Sequence, residues 1–206
     1  MSSSIDMISV EKTALADIAN MAHVTRWHAM NVHRKQSVAE HTTLVTIYAH
    51  VLLQRIYPDH SAEEAMKVIL DALYRDAPEA VVGGDIPTPL KRLMEEGFED
   101  GESPLDQLER KLCPEHHKYR SAIEGTPLYS ISKLADILEA QHFIMIEGKP
   151  PQGQQVFEMR GKAFRDLVES SRSRWPELIW DEAYSVQKEL LYGTGYKIQF
   201  KEKFQR

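Results

Sequence analysis

Helix-start signals, each followed by apolar residues at helical spacing, constrain the fold of this chain more than any other feature. Ser37-Val38-Ala39-Glu40 has the spacing of a capping box, in which Ser37 accepts a backbone N–H and Glu40 reaches back to the N-cap. The apolar residues behind it recur at steps of three and four: Leu44, Ile47, Val51 and Leu52. This pattern predicts an amphipathic helix that continues to about Ile56.

Similar signals start two more predicted helices. Ser61-Ala62-Glu63-Glu64 repeats the capping-box spacing and precedes an apolar-periodic segment that runs to Leu73. Thr126-Pro127 looks like an N-cap followed by proline at the first helical position, where the missing N–H costs nothing. The helix that follows it is expected to stop at Gly148 and the Pro150-Pro151 pair.

The rest of the chain continues the helical pattern. Ser103-Pro104 resembles another N-cap with proline behind it, and further helices are predicted over about residues 154–172 and 176–192. Alternating residues predict one short strand at 196–200. The sequence therefore predicts an all-α fold, and the 206 residues are expected to form a single domain.

Composition narrows the class of protein further. Hydrophobic residues make up 42% of the chain and charged residues 27%, which is typical of a globular protein and not of a disordered one. The apolar runs are too short and too often interrupted by charge to span a bilayer. The net charge of −6 argues against a basic surface for nucleic-acid polymers, although a few local cations could still bind a small anion.

Two observations bear on the cellular compartment. The N-terminal residues lack the basic start and the apolar stretch of a secretory signal. Cys113 is the single cysteine, so no disulfide can form within the chain, which fits a reducing compartment. A cytoplasmic protein is the expectation.

Three residues are candidate metal ligands by residue type. His41 lies near the start of the first long predicted helix, Asp76 lies at the end of the next, and Asp136 lies within the apolar segment SKLADILEA. Histidine and carboxylates are good ligands for divalent metals. Each also has an ordinary interpretation: a half-exposed polar histidine, a solvated helix cap, and an acid that faces solvent or a cation.

The order of several short motifs is more specific than any one residue. Arg26-Trp27, the strings SVAEH and GDIPTP, Arg75-Asp76 with Glu79, and Leu134-Ala135-Asp136 follow one another between about residues 20 and 145. In this order they resemble the HD-domain phosphohydrolases, in the branch of 5′-deoxynucleotidases and related phage deoxynucleotide hydrolases. The resemblance implies an HD-domain helical bundle, which helices over about 150–192 would complete.

The resemblance also implies roles for individual residues. His41, Asp76 and Asp136 match the metal-binding positions and would hold a divalent transition metal such as Co, Mn or Zn. A metal of this kind lowers the pKa of a bound water and polarises a phosphoryl oxygen. Glu79 matches an acid beside the attacking water, and Asp85 matches an acid near the sugar hydroxyl and the water.

Two further positions match substrate-binding residues of the family. Arg26 matches an arginine that contacts phosphate, where a guanidinium makes charge-assisted hydrogen bonds. Trp27 matches a residue beside the sugar, where its bulk would disfavour a ribose 2′-hydroxyl. Without the resemblance, Arg26 would be interpreted as a surface cation, Trp27 as a core residue and Glu79 as a solvated acid.

One position departs from the family pattern. Arg75 stands immediately before Asp76, where the family has histidine. A guanidinium has no lone pair to offer a metal and stays protonated in proteins, so Arg75 cannot be a ligand. Its charge would also repel a cation at this position.

Three alternatives follow from this departure. Arg75 could turn outward and leave a weakened three-ligand site, completed by water or by His28, His33 or His50. It could instead replace the metal, pair with Asp76 or Asp136 and contact phosphate, in a protein that binds nucleotide but hydrolyses it poorly. It could finally be an inactivating substitution in an otherwise ordinary enzyme.

The function expected from these observations is a metal-dependent phosphohydrolase of deoxynucleotides. The reaction would be either removal of the 5′-phosphate from a deoxynucleoside monophosphate or release of triphosphate from a deoxynucleoside triphosphate. The alternative is a catalytically impaired HD-fold protein that binds nucleotide or regulates a partner, because Arg75 replaces the motif histidine. A deoxynucleotide is the expected partner, no membrane or nucleic-acid polymer is expected, and a homo-oligomer is implied by the family.

Overall fold

The computed structural model describes residues 15–84 and 104–193 of the chain. The helices within these ranges are α1 (Leu15–Ala19), α2 (Val38–Ile56), α3 (Ala62–Tyr74), α4 (Ala77–Val82), α5 (Pro104–Leu112), α6 (Pro114–Ser121), α7 (Pro127–Glu147), α8 (Gln152–Arg174) and α9 (Asp181–Tyr192). A 3-10 turn spans Asn20–Ala22, and two short strands, β1 (Thr25–Arg26) and β2 (Gln36–Ser37), pair antiparallel. The all-α prediction is confirmed.

The predicted helix starts are confirmed in position and only partly in mechanism. Ser61 and Glu64 form a complete capping box at the start of α3. Ser37 caps α2 by accepting the backbone N–H of Glu40, but the Glu40 carboxylate accepts from Arg34 instead of reaching back to the N-cap. The prediction of a full box at Ser37 was therefore wrong in its second half, because an arginine competes for the same carboxylate.

Other predicted boundaries differ in detail. α7 begins at Pro127 as predicted, yet the Thr126 hydroxyl donates to the carbonyl of Ile123 and does not cap the helix. The last described helix begins at Asp181, five residues after the predicted start, because turns occupy the segment after Trp175. The Ser103 cap and the strand at 196–200 lie outside the described residues.

The core of the bundle forms where α2 and α7 pack against each other and against α3, α8 and α9. Its largest fully buried apolar side chains come from these helices and from the segments beside them: Leu52, Leu53, Ile56, Ile123, Ile131, Leu134, Leu138, Ile144, Phe164 and Trp180. Most of α7 is buried, including the polar residues Ser130, Ser132, Glu139 and Gln141, which therefore face other helices. This placement determines the surroundings of Asp136.

The small β1–β2 ribbon lies before α2 and fixes the segment that carries Arg26 and Trp27. Its register pairs Thr25 with Ser37 and Arg26 with Gln36. Trp27 adopts a positive φ of 62°, which is uncommon for a residue with a side chain. A bridge between Val32 and Gly148 ties the loop of this ribbon to the end of α7. Among the described residues, no helix is long and apolar enough to cross a membrane.

Candidate active site

Three of the predicted site residues meet in the structure. His41 lies in the second turn of α2, Asp76 lies between α3 and α4, and Asp136 lies in the middle of α7. His41 Nε2 is 3.1 Å from Asp76 Oδ2 and 3.3 Å from Asp136 Oδ1. His41 is fully buried and Asp76 is nearly so, which rules out the ordinary interpretations of a half-exposed histidine and a solvated cap.

Arg75 points into the same cluster. Its Nη2 lies 3.0 Å from Asp136 Oδ2, its Nε lies 3.6 Å from Asp76 Oδ1, and its side chain is only 10% exposed. Nη1 also reaches the backbone carbonyl of Ser132, one turn before Asp136 on α7, at 3.5 Å. The outward arginine of the first alternative is therefore not the conformation observed.

Glu139 is a member of the cluster that the sequence interpretation missed. It is buried, accepts from Nδ1 of His41 and from Gln36 Nε2 at 2.5 Å, and lies 3.9 Å from Arg26 Nη1. Its position three residues after Asp136 places both acids on one face of α7, which is a signal that could have identified it. Gln36 carries no comparable signal, because its role depends on the β1–β2 pairing.

Arg26 and Trp27 line one side of this cluster. Arg26 is mostly buried, and its Nη1 has no hydrogen-bond acceptor among the described residues. Trp27 stacks on Phe143 with ring centroids 5.7 Å apart and an interplanar angle of 4°, and its Nε1 donates to Gln36 Oε1 at 3.1 Å. Trp27 is thus half-buried against α7 and not a fully buried core residue.

Glu79 completes the acidic side of the cluster. It lies in the first turn of α4, is buried, and contributes to the fields at both Arg26 and Arg75. The expectation that Glu79 would be a solvated acid without the family resemblance does not match this burial. Asp85, the other predicted catalytic acid, lies outside the described residues.

The charged groups in the cluster shift one another's pKa values. Burial and the nearby Arg26 both lower the pKa of His41, but contacts with three carboxylates outweigh them and raise it to about 10. Those carboxylates belong to Asp136, Asp76 and Glu139. The histidine is therefore a cation at neutral pH in this arrangement.

The two aspartates are shifted in the opposite direction. Burial alone would raise the pKa of Asp136, but Arg75 and His41 hold it well below its usual range. Burial likewise opposes ionisation of Asp76, and contacts with His41, Arg75 and Arg26 outweigh it. Both carboxylates are therefore ionised at neutral pH.

The cluster as arranged does not fit a metal ion. Within the described ranges, no group of three or more histidine, cysteine, aspartate or glutamate side chains has the geometry to hold one. His41, Asp76 and Asp136 are suitable donors by residue type, but Arg75 lies against both carboxylates. Arg75 is therefore the residue that prevents these three side chains from forming a set of metal ligands.

An open cavity of about 540 Å³, a size in the range of small-molecule sites, is lined by residues next in sequence to Arg26, Trp27 and Glu79. Residues of the 3-10 turn and of the β1 strand line one wall, and residues of α4 with the glycines after it line the other. The lining residues are Asn20, His23, Val24, Thr25, His28, Ala80, Gly83 and Gly84. In the sequence, Arg26 and Trp27 lie between the lining residues Thr25 and His28.

A solved structure with this architecture is that of the HD phosphohydrolase DatZ from cyanophage S-2L, bound to dA and one catalytic Zn²⁺ ion. It aligns with a TM-score of 0.63 and 22% identity over 89% of this chain and 95% of that one. A protein from Pyrococcus horikoshii OT3 aligns with a TM-score of 0.57 and 20% identity over 84% of this chain and 96% of its own. The cyanophage structure confirms the predicted HD-type helical fold, and the Pyrococcus protein shares the same architecture.

Sequence comparison identifies relatives that cover most of the chain. A dATP triphosphohydrolase of Acinetobacter phage SH-Ab 15497 is 30% identical over 193 residues, which are 88% of this chain and 93% of that protein. A dATP triphosphohydrolase of Salmonella phage PMBT28 is 29% identical over 84% of this chain and 89% of its own. The profile of the 5′-deoxynucleotidase YfbR-like family matches residues 14–171, and the chain belongs to this family.

Proposed function

We propose that this protein is a deoxynucleotide phosphohydrolase whose active site is the cluster of His41, Asp76, Asp136 and Glu79, with Arg26 and Trp27 as substrate-binding residues. The observation that carries the proposal is the buried Arg26, whose Nη1 has no hydrogen-bond acceptor among the described residues and which lies at the edge of this cluster. A buried guanidinium donor without an acceptor is suited to an anion that is absent from the free protein.

The phosphate is the part of the substrate that Arg26 binds. A guanidinium presents its donors in a planar fork that matches the spacing of two phosphate oxygens. The Glu139 carboxylate holds Arg26 at 3.9 Å and so limits its movement before substrate arrives. Arg26 then stabilises the negative charge that builds on the phosphoryl oxygens during the reaction.

The nucleoside is proposed to lie beside Trp27. Trp27 is held by its stacking on Phe143 and by the hydrogen bond to Gln36, so its indole forms a rigid surface where the sugar would lie. An apolar wall leaves an added 2′-hydroxyl without a hydrogen-bond partner, which disfavours ribose by about 100-fold at most. This accounts for a preference for deoxyribose, and Asp85 would contact the sugar hydroxyl from the segment after Gly84.

Glu79 holds the attacking water. It is buried in the first turn of α4, three residues after Asp76. A carboxylate in this position accepts a proton from water as the water oxygen bonds to phosphorus. The bond from phosphorus to O5′ then breaks, and O5′ takes a proton to give the free deoxynucleoside.

The substrate proposed first is a deoxynucleoside triphosphate, and dATP in particular. Two relatives that align over most of the chain are dATP triphosphohydrolases. The bacterial 5′-deoxynucleotidases align over only 37% of it. Attack at the α-phosphorus of dATP would give deoxyadenosine and triphosphate.

A divalent transition metal is the cofactor that the family resemblance implies. Zn²⁺ is present in the cyanophage structure, and when bound such an ion supplies an activated water and a polarised phosphoryl group. The observed cluster, with Arg75 against both aspartates, does not fit that ion. The steps described above therefore use only the side chains of this protein.

A second candidate function follows from Arg75. Because the arginine occupies the cluster, the protein could bind deoxynucleotide and release it unchanged, as a binding or regulatory protein. The two functions share the Arg26 and Trp27 contacts and differ in whether Glu79 is used. Cytoplasmic location and a homo-oligomeric state are part of both proposals.

Turnover and binding measurements distinguish these functions. Purified protein is incubated with dATP, dAMP and ATP, while calorimetry measures the affinity for each nucleotide. If the protein is a hydrolase, it should consume dATP. The rate of hydrolysis should then fall at least about 100-fold in Glu79→Gln, with little change in the affinity for dATP. Arg26→Gln should weaken binding of every phosphorylated ligand, and Arg34→Gln, at an exposed arginine, serves as the matched control.

The outcomes separate three possibilities. Binding of dATP without turnover would replace the hydrolase with the binding protein. Equal turnover of ATP and dATP would contradict the role of Trp27. An absence of both binding and turnover, measured for folded protein with and without added Mn²⁺, Co²⁺ or Zn²⁺, would contradict both candidate functions.

A further inference from the structure

The guanidinium of Arg75 places a positive charge beside Asp76 and Asp136. Asp76 and Asp136 together present four carboxylate oxygens, and each oxygen contacts a side-chain nitrogen of His41 or Arg75. His41 Nε2 contacts one oxygen of each aspartate, at 3.1 and 3.3 Å. Arg75 contacts the other two, through Nε at 3.6 Å and Nη2 at 3.0 Å. Each oxygen of this pair therefore already lies within 4 Å of a positively charged side chain in the observed arrangement.

Further contacts with Ser132, and through it with Asp71, hold Arg75 in its inward position. Its Nη1 contacts the Ser132 carbonyl, and the Ser132 hydroxyl donates to Asp71, which lies one turn before Arg75 on α3. Arg120 pairs with the same Asp71 at 3.1 Å. Asp71 and Ser132 are almost completely buried, so these contacts belong to the interior of the bundle.

We infer that the guanidinium of Arg75 takes the place of a divalent cation in this protein, so that the fold and the charged cluster require no bound metal. An arginine is protonated at all physiological pH values and cannot ligate a metal, so its charge repels an incoming cation without offering a donor in exchange. The inference refines the proposed function, because it concerns the same site. It is tested by metal content and thermal stability and not by activity. The inference can therefore fail while the proposed hydrolase activity is confirmed, and the activity can fail while the inference is confirmed.

The test compares the parent protein with Arg75→His. Each protein is expressed in medium that contains Mn²⁺, Co²⁺ and Zn²⁺ and is dialysed, and bound metal is measured by mass spectrometry. The melting temperature is then recorded with a chelator and with each metal. Arg174→His is the matched control, since it adds a histidine at an exposed position, where Arg174 contacts the Gly125 carbonyl and the Trp175 ring.

The expected result is a parent with far less than one metal per chain and an unchanged melting temperature in chelator. Arg75→His should retain about one metal per chain and melt at a higher temperature when the metal is present, because an imidazole ligand joins one histidine and two aspartates. Arg174→His should behave like the parent.

Two results would overturn the inference. One is a parent that retains about one metal per chain after dialysis and loses thermal stability in chelator. The other is a folded Arg75→His that binds no more metal than Arg174→His does. If Arg75→His fails to fold, the metal content and chelator response of the parent still decide between the outcomes.

Discussion

The apolar core and the charged cluster are built on the same two helices. α2 carries His41 in its second turn and buries Leu52 near its other end. α7 buries Leu134 beside Asp136 and places Glu139 one turn further along. The two regions therefore share two helices, although the cluster also draws Arg75 and Asp76 from the segment after α3.

The comparison shows two different ways to stabilise buried side chains. In the core, removal of apolar surface from water is non-directional, so any well-packed apolar residue contributes. In the cluster, every buried charge depends on a partner at the correct distance, and loss of one partner leaves the others uncompensated. The core should therefore tolerate conservative changes that the cluster does not.

The largest effect is expected from Arg75→Gln. This change leaves Asp76 and Asp136 without their guanidinium partner in a buried position, and such a loss costs about 4 kcal/mol of unfolding free energy. Chemical denaturation in chelator measures it. The matched control is Arg55→Gln, at an exposed arginine paired with Glu189, where a cost below about 1 kcal/mol is expected. Equal costs for the two variants would remove the distinction between buried and exposed pairs.

A smaller effect is expected from Leu134→Ala in the core. Leu134 is fully buried, so the variant loses transfer free energy and leaves a cavity, together about 3 kcal/mol. Ile146→Ala, at a side chain on the same helix that is 57% exposed, should change stability by no more than about 0.5 kcal/mol. A Leu134→Ala cost close to that of Ile146→Ala would show that this part of α7 is not packed as described.

The smallest effect concerns His116, a partly buried histidine whose pKa is shifted in the opposite direction from that of His41. Burial and the nearby Arg120 lower its pKa to about 4, whereas His41 is held as a cation. Between pH 4 and about 6.5 the unfolded chain binds the additional proton, so this contribution to stability is present above pH 6.5 and is lost as the pH falls.

Denaturation at pH 7 and pH 4.5 tests this behaviour. The parent should lose about 2 kcal/mol more stability over this range than His116→Gln does, because the glutamine cannot take up the proton. Identical losses would mean that His116 is accessible to solvent and titrates normally in the folded protein.

The sequence predicted the helices better than their ends. Apolar spacing identified α2, α3 and α7, because a periodic face records which side of a helix is buried. The caps depend on single side chains, and Arg34 and Ile123 provided competing partners that spacing does not reveal. The β1–β2 ribbon is too short for a periodic pattern to indicate it.

The candidate site was predictable in its members and not in its arrangement. Resemblance identified His41, Asp76 and Asp136, which the structure brings together, while their roles as ligands stay a prediction. The direction of Arg75 was open to three alternatives, because it depends on Asp136 and on the Ser132 carbonyl, which lie far from it in sequence. Tertiary contacts of this kind leave no local pattern.

The central claim is that Arg75 supplies the cation of a deoxynucleotide site. The most direct measurement is a crystal structure of the parent protein soaked with dATP and Mn²⁺, with anomalous data collected to locate the metal. We predict nucleotide phosphate against Arg26, the Arg75 guanidinium between Asp76 and Asp136, and no anomalous peak beside His41. An Arg75 side chain turned outward, with a metal peak bound by His41, Asp76 and Asp136, would contradict it.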